Sequence, residues 1–112
     1  MTARDLAHWE HIYNSGTIIS PESTRLFGVP FMNTGTDGEG YSLGVNVCHL
    51  DNGALKFYHA STRGGFVAVE VLFPEHDLAY IILANRNEWD YIEAVKAIDT
   101  ILTSKGFLSR DV

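Results

Sequence analysis

Residues 59–86 read HASTRGGFVAVEVLFPEHDLAYIILANR and carry the strongest pattern in this 112-residue chain. Two apolar runs, FVAVEVLF at 66–73 and AYIIL at 79–83, are rich in the β-branched and aromatic residues that fit a pleated, buried surface. The turn-forming residues PEHD separate the two runs, and only Glu70 interrupts the first. Neither run alternates cleanly between apolar and polar residues. The stretch therefore predicts two antiparallel strands that are joined by a hairpin and covered on both faces.

Two helices are predicted ahead of this hairpin. Thr2 and Asp5 form a capping-type arrangement that predicts the start of a first helix. Gly16 is placed to end this helix. The residues SPES at 20–23 combine an N-cap serine with proline at the first helical position. They predict a short second helix that ends near Gly28.

The segment between the helices and the hairpin predicts a loop followed by two strands. Residues 29–40 hold proline, glycines and threonines and are expected to form the loop. The runs at 41–50 (YSLGVNVCHL) and 54–59 are expected to be strands. The residues DNG at 51–53 predict a type I′ turn between them, because Asn-Gly tolerates positive φ.

A long C-terminal helix completes the predicted fold. Asn87 is expected to cap a helix over residues 88–105 that Gly106 closes. Its apolar side chains share one face: Tyr91, Val95, Ile98 and Leu102. The sequence thus predicts a single α+β domain over residues 1–112. Its antiparallel sheet has about three to four strands, with an N-terminal helix, a short second helix and the long C-terminal helix packed on it.

Composition excludes several classes of function. Eight Lys and Arg residues against fourteen Asp and Glu give a net charge of −6, which argues against a nucleic-acid partner. No window approaches the roughly 20 apolar residues that span a bilayer, so no membrane partner is predicted. No cationic segment leads into an apolar one at the N-terminus, and the single Cys48 is compatible with a reducing compartment. We expect a cytoplasmic protein, unless the chain is part of a longer exported one.

The residues from His59 onward resemble the C-terminal end of the serine β-lactamase and penicillin-binding-protein family, in its class C and esterase-like branch. That family opens this pattern with a Lys-Thr-Gly or His-x-Gly box. Here His59 stands at the first box position, Ala60 at the middle, and Ser61 where the family has Gly. Gly65 and Phe66 follow at the family's spacing, six and seven residues after the box opens.

Further matches continue the resemblance along the chain. Pro74, Leu78 and Asn85 fit the strand, turn and strand that follow the box in the family, and the Tyr-x-Leu-Gly at 41–44 is similar to its Tyr-Gly-Leu-Gly segment. The resemblance implies a partial β-lactamase-like fold that corresponds to roughly the last third of such an enzyme.

The resemblance also implies a site for acyl chemistry. In the family the box strand borders an acyl-serine site, and the amide just after the box helps to stabilise the oxyanion. Here that amide is the N–H of Thr62, and His59, Ser61, Thr62 and Asn85 are the residues expected to contact a ligand. The expected ligand is a small acyl or β-lactam-like molecule, and no cofactor or metal is predicted.

The elements that attack the substrate are missing from this sequence. No serine has a lysine three residues further on, and no Tyr or Ser is followed by Asn at the second position. We therefore predict a truncated β-lactamase-like domain that is not catalytic alone. The alternative is a small stand-alone α+β module, for ligand binding or as a scaffold, without hydrolase ancestry.

Truncation has a consequence for assembly. In the family an N-terminal strand pair docks beside the strand that corresponds to residues 78–85. Without that pair, this strand presents unpaired backbone groups and apolar side chains at a sheet edge. We expect a homodimer, or association with a partner chain, along the edge of residues 78–85.

Three other features carry open interpretations. His8 and His11 lie three residues apart on the first helix and either share a metal or form a solvated face. Glu70 is either a carboxyl group with a raised pKa or one that pairs with an arginine, of which Arg63 and Arg86 are candidates. Cys48 is expected to be a small core residue.

Overall fold

The computed structural model of this protein describes residues 2–26, 32–33, 39–86 and 88–108. Three α-helices are observed: α1 (Ala3–Asn14), α2 (Pro21–Leu26) and α3 (Tyr91–Ser104). Six strands are observed: β1 (Met32–Asn33), β2 (Glu39–Tyr41), β3 (Asn46–His49), β4 (Leu55–Arg63), β5 (Phe66–Phe73) and β6 (Leu78–Ala84). A 3₁₀ turn at Pro74–His76 joins the last two strands. All neighbouring strands are antiparallel, in the order β1-β2-β3-β4-β5-β6.

The predicted α+β class and antiparallel sheet are confirmed, but the predicted number of three to four strands is wrong. The strand expected at 41–50 is interrupted, because Ser42 N–H donates to Val45 O over 2.9 Å and Gly44 adopts a φ of 89°. The tight turn splits this run into β2 and β3. In addition, β1 and the start of β2 lie in the segment expected to be a loop, whose residues 29–31 and 34–38 lie outside the described part of the chain.

The N-terminal helix begins where the sequence predicts. Asp5 N–H donates to Thr2 Oγ1, and the Thr2 N–H donates back to the Asp5 carboxylate, each over 3.1 Å. This reciprocal capping box satisfies backbone donors that the first turn of a helix leaves open. At the other end of α1, Asn14 Nδ2 donates to Pro74 O over 3.2 Å, which ties the helix to the turn between β5 and β6.

The hairpin turns differ from the prediction in their type. At the DNG turn only Gly53 takes a positive φ, and Gly53 N–H donates to Leu50 O over 2.8 Å. The loop is therefore a three-residue turn that ends in a left-handed glycine, not type I′. It is the β4–β5 hairpin that has positive φ at both central residues, Gly64 at 61° and Gly65 at 87°. That pair matches the requirement of a type I′ turn.

The two faces of the sheet are covered by different helices. On the face that we call the α1 face, Tyr13 of α1 packs against the buried residues Val47, Phe57 and Leu72. On the opposite face, the α3 face, the helix side chains Val95 and Leu102 pack against a larger cluster. Its buried members are Ala54, Val67, Val69, Val71, Phe73 and Leu108.

The prediction that β5 is covered on both faces holds only for part of the strand. Leu72 on the α1 face is 4 % exposed, whereas Phe66 on the same face is 62 % exposed. The reason is that α1 has only 12 residues and its contacts lie toward the Leu72 end. The α1 face is consequently open near the β4–β5 turn.

A buried polar network fixes α3 on its face of the sheet. Lys56 Nζ of β4 and Asp99 Oδ2 of α3 form an ion pair at 2.6 Å, with both side chains about nine-tenths buried. Tyr80 of β6 donates its hydroxyl to Asp99 Oδ1, also over 2.6 Å. Burial and this hydrogen bond raise the pKa of Tyr80. One carboxylate thus joins the helix to two strands, and nothing in the sequence pattern predicts this contact.

The C-terminal helix begins later than predicted. Asp90 is its N-cap, and its side chain accepts a hydrogen bond from Glu93 N over 3.2 Å. The expected cap, Asn87, lies outside the described residues. None of the helices in the described part of the chain is long and apolar enough to cross a membrane.

Candidate functional site

A pocket of about 230 Å³ lies under α1, against the α1 face of the sheet. Its lining combines acidic, aromatic and aliphatic side chains: Trp9, Glu10, Tyr13, Gly44, Val45, Phe57, Tyr58, His59, Glu70 and Leu72. Helix α1 supplies the roof, strands β4 and β5 supply the floor, and the turn before β3 closes one end. The pocket includes the sequence-predicted residue His59, which is the reason to treat it as the candidate site.

His59 and Glu70 are direct neighbours across the β4–β5 ladder. Their side chains project from the same face, because residues that pair directly in an antiparallel sheet point to the same side. The His59 side chain is exposed, whereas Glu70 is half-buried, and its Oε1 atom is buried without a hydrogen-bond partner among the described residues. The floor of the pocket therefore carries an acceptor that no donor in the described part of the chain satisfies.

The roof contributes a second carboxyl group. Burial, together with the nearby charge of Glu70, raises the pKa of Glu10 from its ordinary value of 4.5 to about 7. Burial and the charge of Glu10 similarly raise the pKa of Tyr13 to about 12. Glu10 and Glu70 thus form a carboxyl pair that lines the pocket, in which the charge of Glu70 opposes ionisation of Glu10.

The pocket adjoins an open stretch of the β4 edge. Pairing between β3 and β4 runs from Leu55 to Tyr58 and stops there, whereas β4 continues to Arg63. Leu50 N–H donates to Ala54 O over 2.9 Å, so even-numbered β4 residues direct their backbone groups toward β3.

The same alternation sets the direction of the backbone groups beyond Tyr58. The N–H and C=O groups of Ala60 and Thr62 point away from β5, toward the side where β3 has ended. No strand of the described part of the chain pairs with them there. Two sets of backbone donors and acceptors therefore lie along an open edge next to His59.

The structure brings only some of the predicted site residues together. Ser61 lies on the α1 face with His59, whereas the side chains of Ala60 and Thr62 lie on the α3 face, because side chains alternate along a strand. Asn85 follows β6, which is two strands away from β4, so it does not lie beside His59. Asn85 also does not line the pocket.

The three residues that α1 contributes to the pocket, Trp9, Glu10 and Tyr13, are not among those predicted from the sequence to contact a ligand. Within the described residues, Glu70 forms no ion pair with Arg63 or Arg86 and instead acts on the carboxyl of Glu10. The available signal was the placement of Glu10 between the aromatic residues at positions 9 and 13.

The remaining candidates lie elsewhere. His11 Nδ1 is 4.0 Å from Asp77 Oδ1, and both side chains are about two-thirds exposed. The described residues contain no group of three or more His, Cys, Asp or Glu side chains that could hold a metal ion, so His8 and His11 gain no third ligand. Cys48 is half-buried, and burial raises the pKa of its thiol.

A second pocket, of about 440 Å³, lies between α3 and the sheet. Two of the lysines that line it form ion pairs: Lys56 with Asp99, which also lines the pocket, at 2.6 Å, and Lys96 with Glu93, which does not, at 3.9 Å. The Tyr58 hydroxyl donates to Glu39 Oε1. This pocket therefore contrasts with the one under α1, where the carboxyl groups face each other.

The carboxyl pair predicts a pH-dependent effect of Glu10→Gln. Because the folded-state pKa of Glu10 lies above the unfolded-state value, the folded protein loses stability as pH rises from about 4.5 through about 7. The Gln variant stays neutral and should be more stable than the wild type at about pH 8, by about 1 kcal/mol after allowance for solvent screening. Urea unfolding at about pH 5 and pH 8 measures the difference. Glu88→Gln removes an exposed carboxylate as a matched control, and an equal gain in that variant would contradict the prediction.

The direction of the backbone groups in β4 predicts opposite outcomes for two adjacent proline substitutions. Thr62→Pro removes an N–H that points to the open edge and should change the free energy of unfolding by less than about 1 kcal/mol. Ser61→Pro removes an N–H that points to β5 and should cost about 2 kcal/mol or more. Chemical denaturation of both variants tests the assignment. A larger loss for Thr62→Pro would show that the alternation is reversed, and equal losses would contradict the assigned directions of the two N–H groups.

Comparison with known proteins adds no relative. The chain matches no protein-family model, no curated protein and no solved structure. The resemblance to the β-lactamase-like family stays a prediction based on the residues quoted above.

Proposed function

We propose that this chain is a β-lactamase-like domain that lacks the catalytic half of the enzyme and binds an acyl or peptide-like ligand along the open edge of β4. The observation that carries the proposal is the edge of β4 beyond Tyr58 that faces away from β5, with which no described strand pairs, beside the pocket that contains His59. An extended ligand can add to such an edge as a further strand, with main-chain hydrogen bonds for affinity and an adjoining pocket for specificity.

The order of the elements supports this proposal. The box residues lie on β4, the hairpin to β5 and then β6 follows, and α3 covers one face of the resulting sheet. This is the succession that the resemblance implies for the C-terminal part of a β-lactamase-like enzyme. The Thr62 N–H, which corresponds to the family's oxyanion donor, points to the open edge and is available to a ligand carbonyl.

The residues around the pocket support binding without catalysis. No serine, cysteine or lysine is among the described side chains that line it. An oxyanion donor without a nucleophile and base contributes only a small residual rate. Ser61, which replaces the family's glycine, projects from the α1 face and is exposed. A ligand that follows the β4 edge must accommodate this side chain.

Binding and turnover can be tested separately. We expect an N-acetylated dipeptide to shift the amide resonances of Ala60 and Thr62 in ¹H–¹⁵N spectra, and Thr62→Pro to abolish this response without unfolding the protein. A chromogenic β-lactam and a p-nitrophenyl ester should both remain unhydrolysed. Ester or β-lactam turnover that is lost in His59→Ala would contradict the assignment as a noncatalytic domain. Shifts confined to residues remote from β4 would contradict the ligand site.

We also propose that the edge of β6 joins a second copy of the chain or a partner polypeptide. Strand β6 is the last strand of the sheet in the described part of the chain. Leu83 on this strand is 42 % exposed, and Phe66 on the neighbouring strand is 62 % exposed, so an apolar patch adjoins the edge.

Sedimentation at micromolar concentration tests the self-association. We expect a species of about twice the 12.4 kDa chain mass. Leu83→Pro removes an outward-directed N–H from the edge and should shift the equilibrium toward the monomer, since Leu83 lies between the positions that bond to β5. A particle of 12.4 kDa for the unmodified chain would exclude the homodimer.

A stand-alone α+β binding module is the second candidate, and one observation favours it. The sheet continues past β4 into β3, β2 and β1, and the pocket is roofed by α1 of the same chain. The site is therefore built without a second polypeptide. A neighbouring gene that encodes a Ser-x-x-Lys segment would favour the split-enzyme account over this module.

A further inference from the structure

We propose that the pocket under α1 binds an organic ammonium group, held between the carboxylates of Glu10 and Glu70. The inference deepens the proposed function by naming the class of ligand, an acyl compound that also carries an amine. It rests on that function only for the placement of the acyl end along β4. The ammonium site itself follows from the composition and geometry of the pocket.

The charge of Glu70 lies close enough to Glu10 to oppose its ionisation. None of the described residues that line the pocket is Lys or Arg. His59 is the only basic side chain among them, and it is exposed. A bound cation would relieve the repulsion between the two carboxylates, because an opposite charge favours the ionised form of each.

The floor of the pocket contains a carboxylate oxygen that has no hydrogen-bond donor among the described residues. Buried polar atoms in proteins are nearly always hydrogen-bonded, and an exception calls for a specific cause. Oε1 of Glu70 is buried and has no partner in the described structure. An ammonium group carries three N–H donors and no acceptor, so it can serve Glu70 and Glu10 at the same time.

Aromatic side chains form part of the pocket lining. The rings of Trp9 and Tyr13 lie 6.4 Å apart between centroids, tilted by 35°, and both line the pocket together with Phe57. Aromatic faces attract organic cations through the ring quadrupole, and tryptophan does so most strongly. Acidic groups flanked by aromatic faces form an environment that suits an ammonium attached to a hydrocarbon and disfavours an anion.

The size of the pocket and the number of side chains that could ligate a metal favour an amine over a metal ion. A volume of about 230 Å³ admits a compact amine with a single ring or a short chain. The described part of the chain holds no group of three metal-ligating side chains, whereas two carboxylates with aromatic walls are sufficient for an ammonium.

Benzylamine is a suitable probe, and the protein contains an internal control. Trp9 lines the pocket, whereas Trp89 packs in the cluster on the α3 face. We expect titration with benzylamine at about pH 8 to shift the indole N–H resonance of Trp9 to saturation and to leave that of Trp89 unchanged. At about pH 5 the affinity should fall, because protonation of Glu10 removes one of the two charges.

Variants and isosteres complete the test. Glu70→Gln should weaken benzylamine binding by about tenfold or more. Glu10→Gln, which stabilises the fold by the argument given above, should weaken it at pH 8 and remove the pH dependence. Glu88→Gln, a matched loss of one exposed carboxylate, should leave binding unchanged. Benzyl alcohol, which is of similar size without the charge, should not bind.

Several outcomes would overturn the ammonium site. They are an unchanged Trp9 resonance, equal binding of benzyl alcohol, indifference to both glutamate substitutions, or a saturable response to Zn²⁺ in place of benzylamine. If the acetylated dipeptide still perturbs Ala60 and Thr62 while benzylamine fails, this inference alone is wrong. If benzylamine binds and the dipeptide does not, the ammonium site stands and the proposed function falls.

Discussion

The ladder between β4 and β5 is the constraint on which the remaining structure depends. Seven residue pairs join the two strands, from Phe57↔Leu72 to Arg63↔Phe66. The turn at Gly64 and Gly65 sets their register, because a two-residue turn with positive φ at both positions leaves no freedom to slip. A shift by one residue would exchange the faces, exposing Val67, Val69 and Val71 and burying Glu70 under α3.

Once the register is set, the two faces acquire different physical characters. The α3 face receives the valines of β5 and the buried ion pair between Lys56 and Asp99, in which each charge has an opposite partner. The α1 face receives His59 and Glu70 and is covered only in part by a 12-residue helix. Within the described residues, neither His59 nor Glu70 forms an ion pair. The two faces therefore differ in whether their central charged side chains are paired.

The open edge of β4 and the closed end of the pocket are two consequences of one turn. The turn at residues 42–45 ends the pairing of β3 with β4 at Tyr58, and the same turn closes one end of the pocket through Gly44 and Val45. A ligand at this position meets backbone donors and acceptors on one side and carboxyl and aromatic groups on the other. This juxtaposition links the edge of the sheet to the pocket under α1.

The sequence by itself determined the elements whose signals are local. The capping box of α1, the proline at the start of α2 and the apolar runs of β5 and β6 depend on residues a few positions apart, so they could be predicted. The placement of His59 on a strand was also predicted, from the run at residues 54–59.

The tertiary structure decided everything that depends on residues distant in the chain. It brought Glu10 of α1 to Glu70 of β5, and Asp99 of α3 to Lys56 of β4, over separations that no periodicity encodes. It also divided the run at 41–50 into two strands and placed Asn85 away from His59. Propensity and spacing act along the chain, whereas burial, charge pairing and the end of a strand ladder are set by packing in three dimensions.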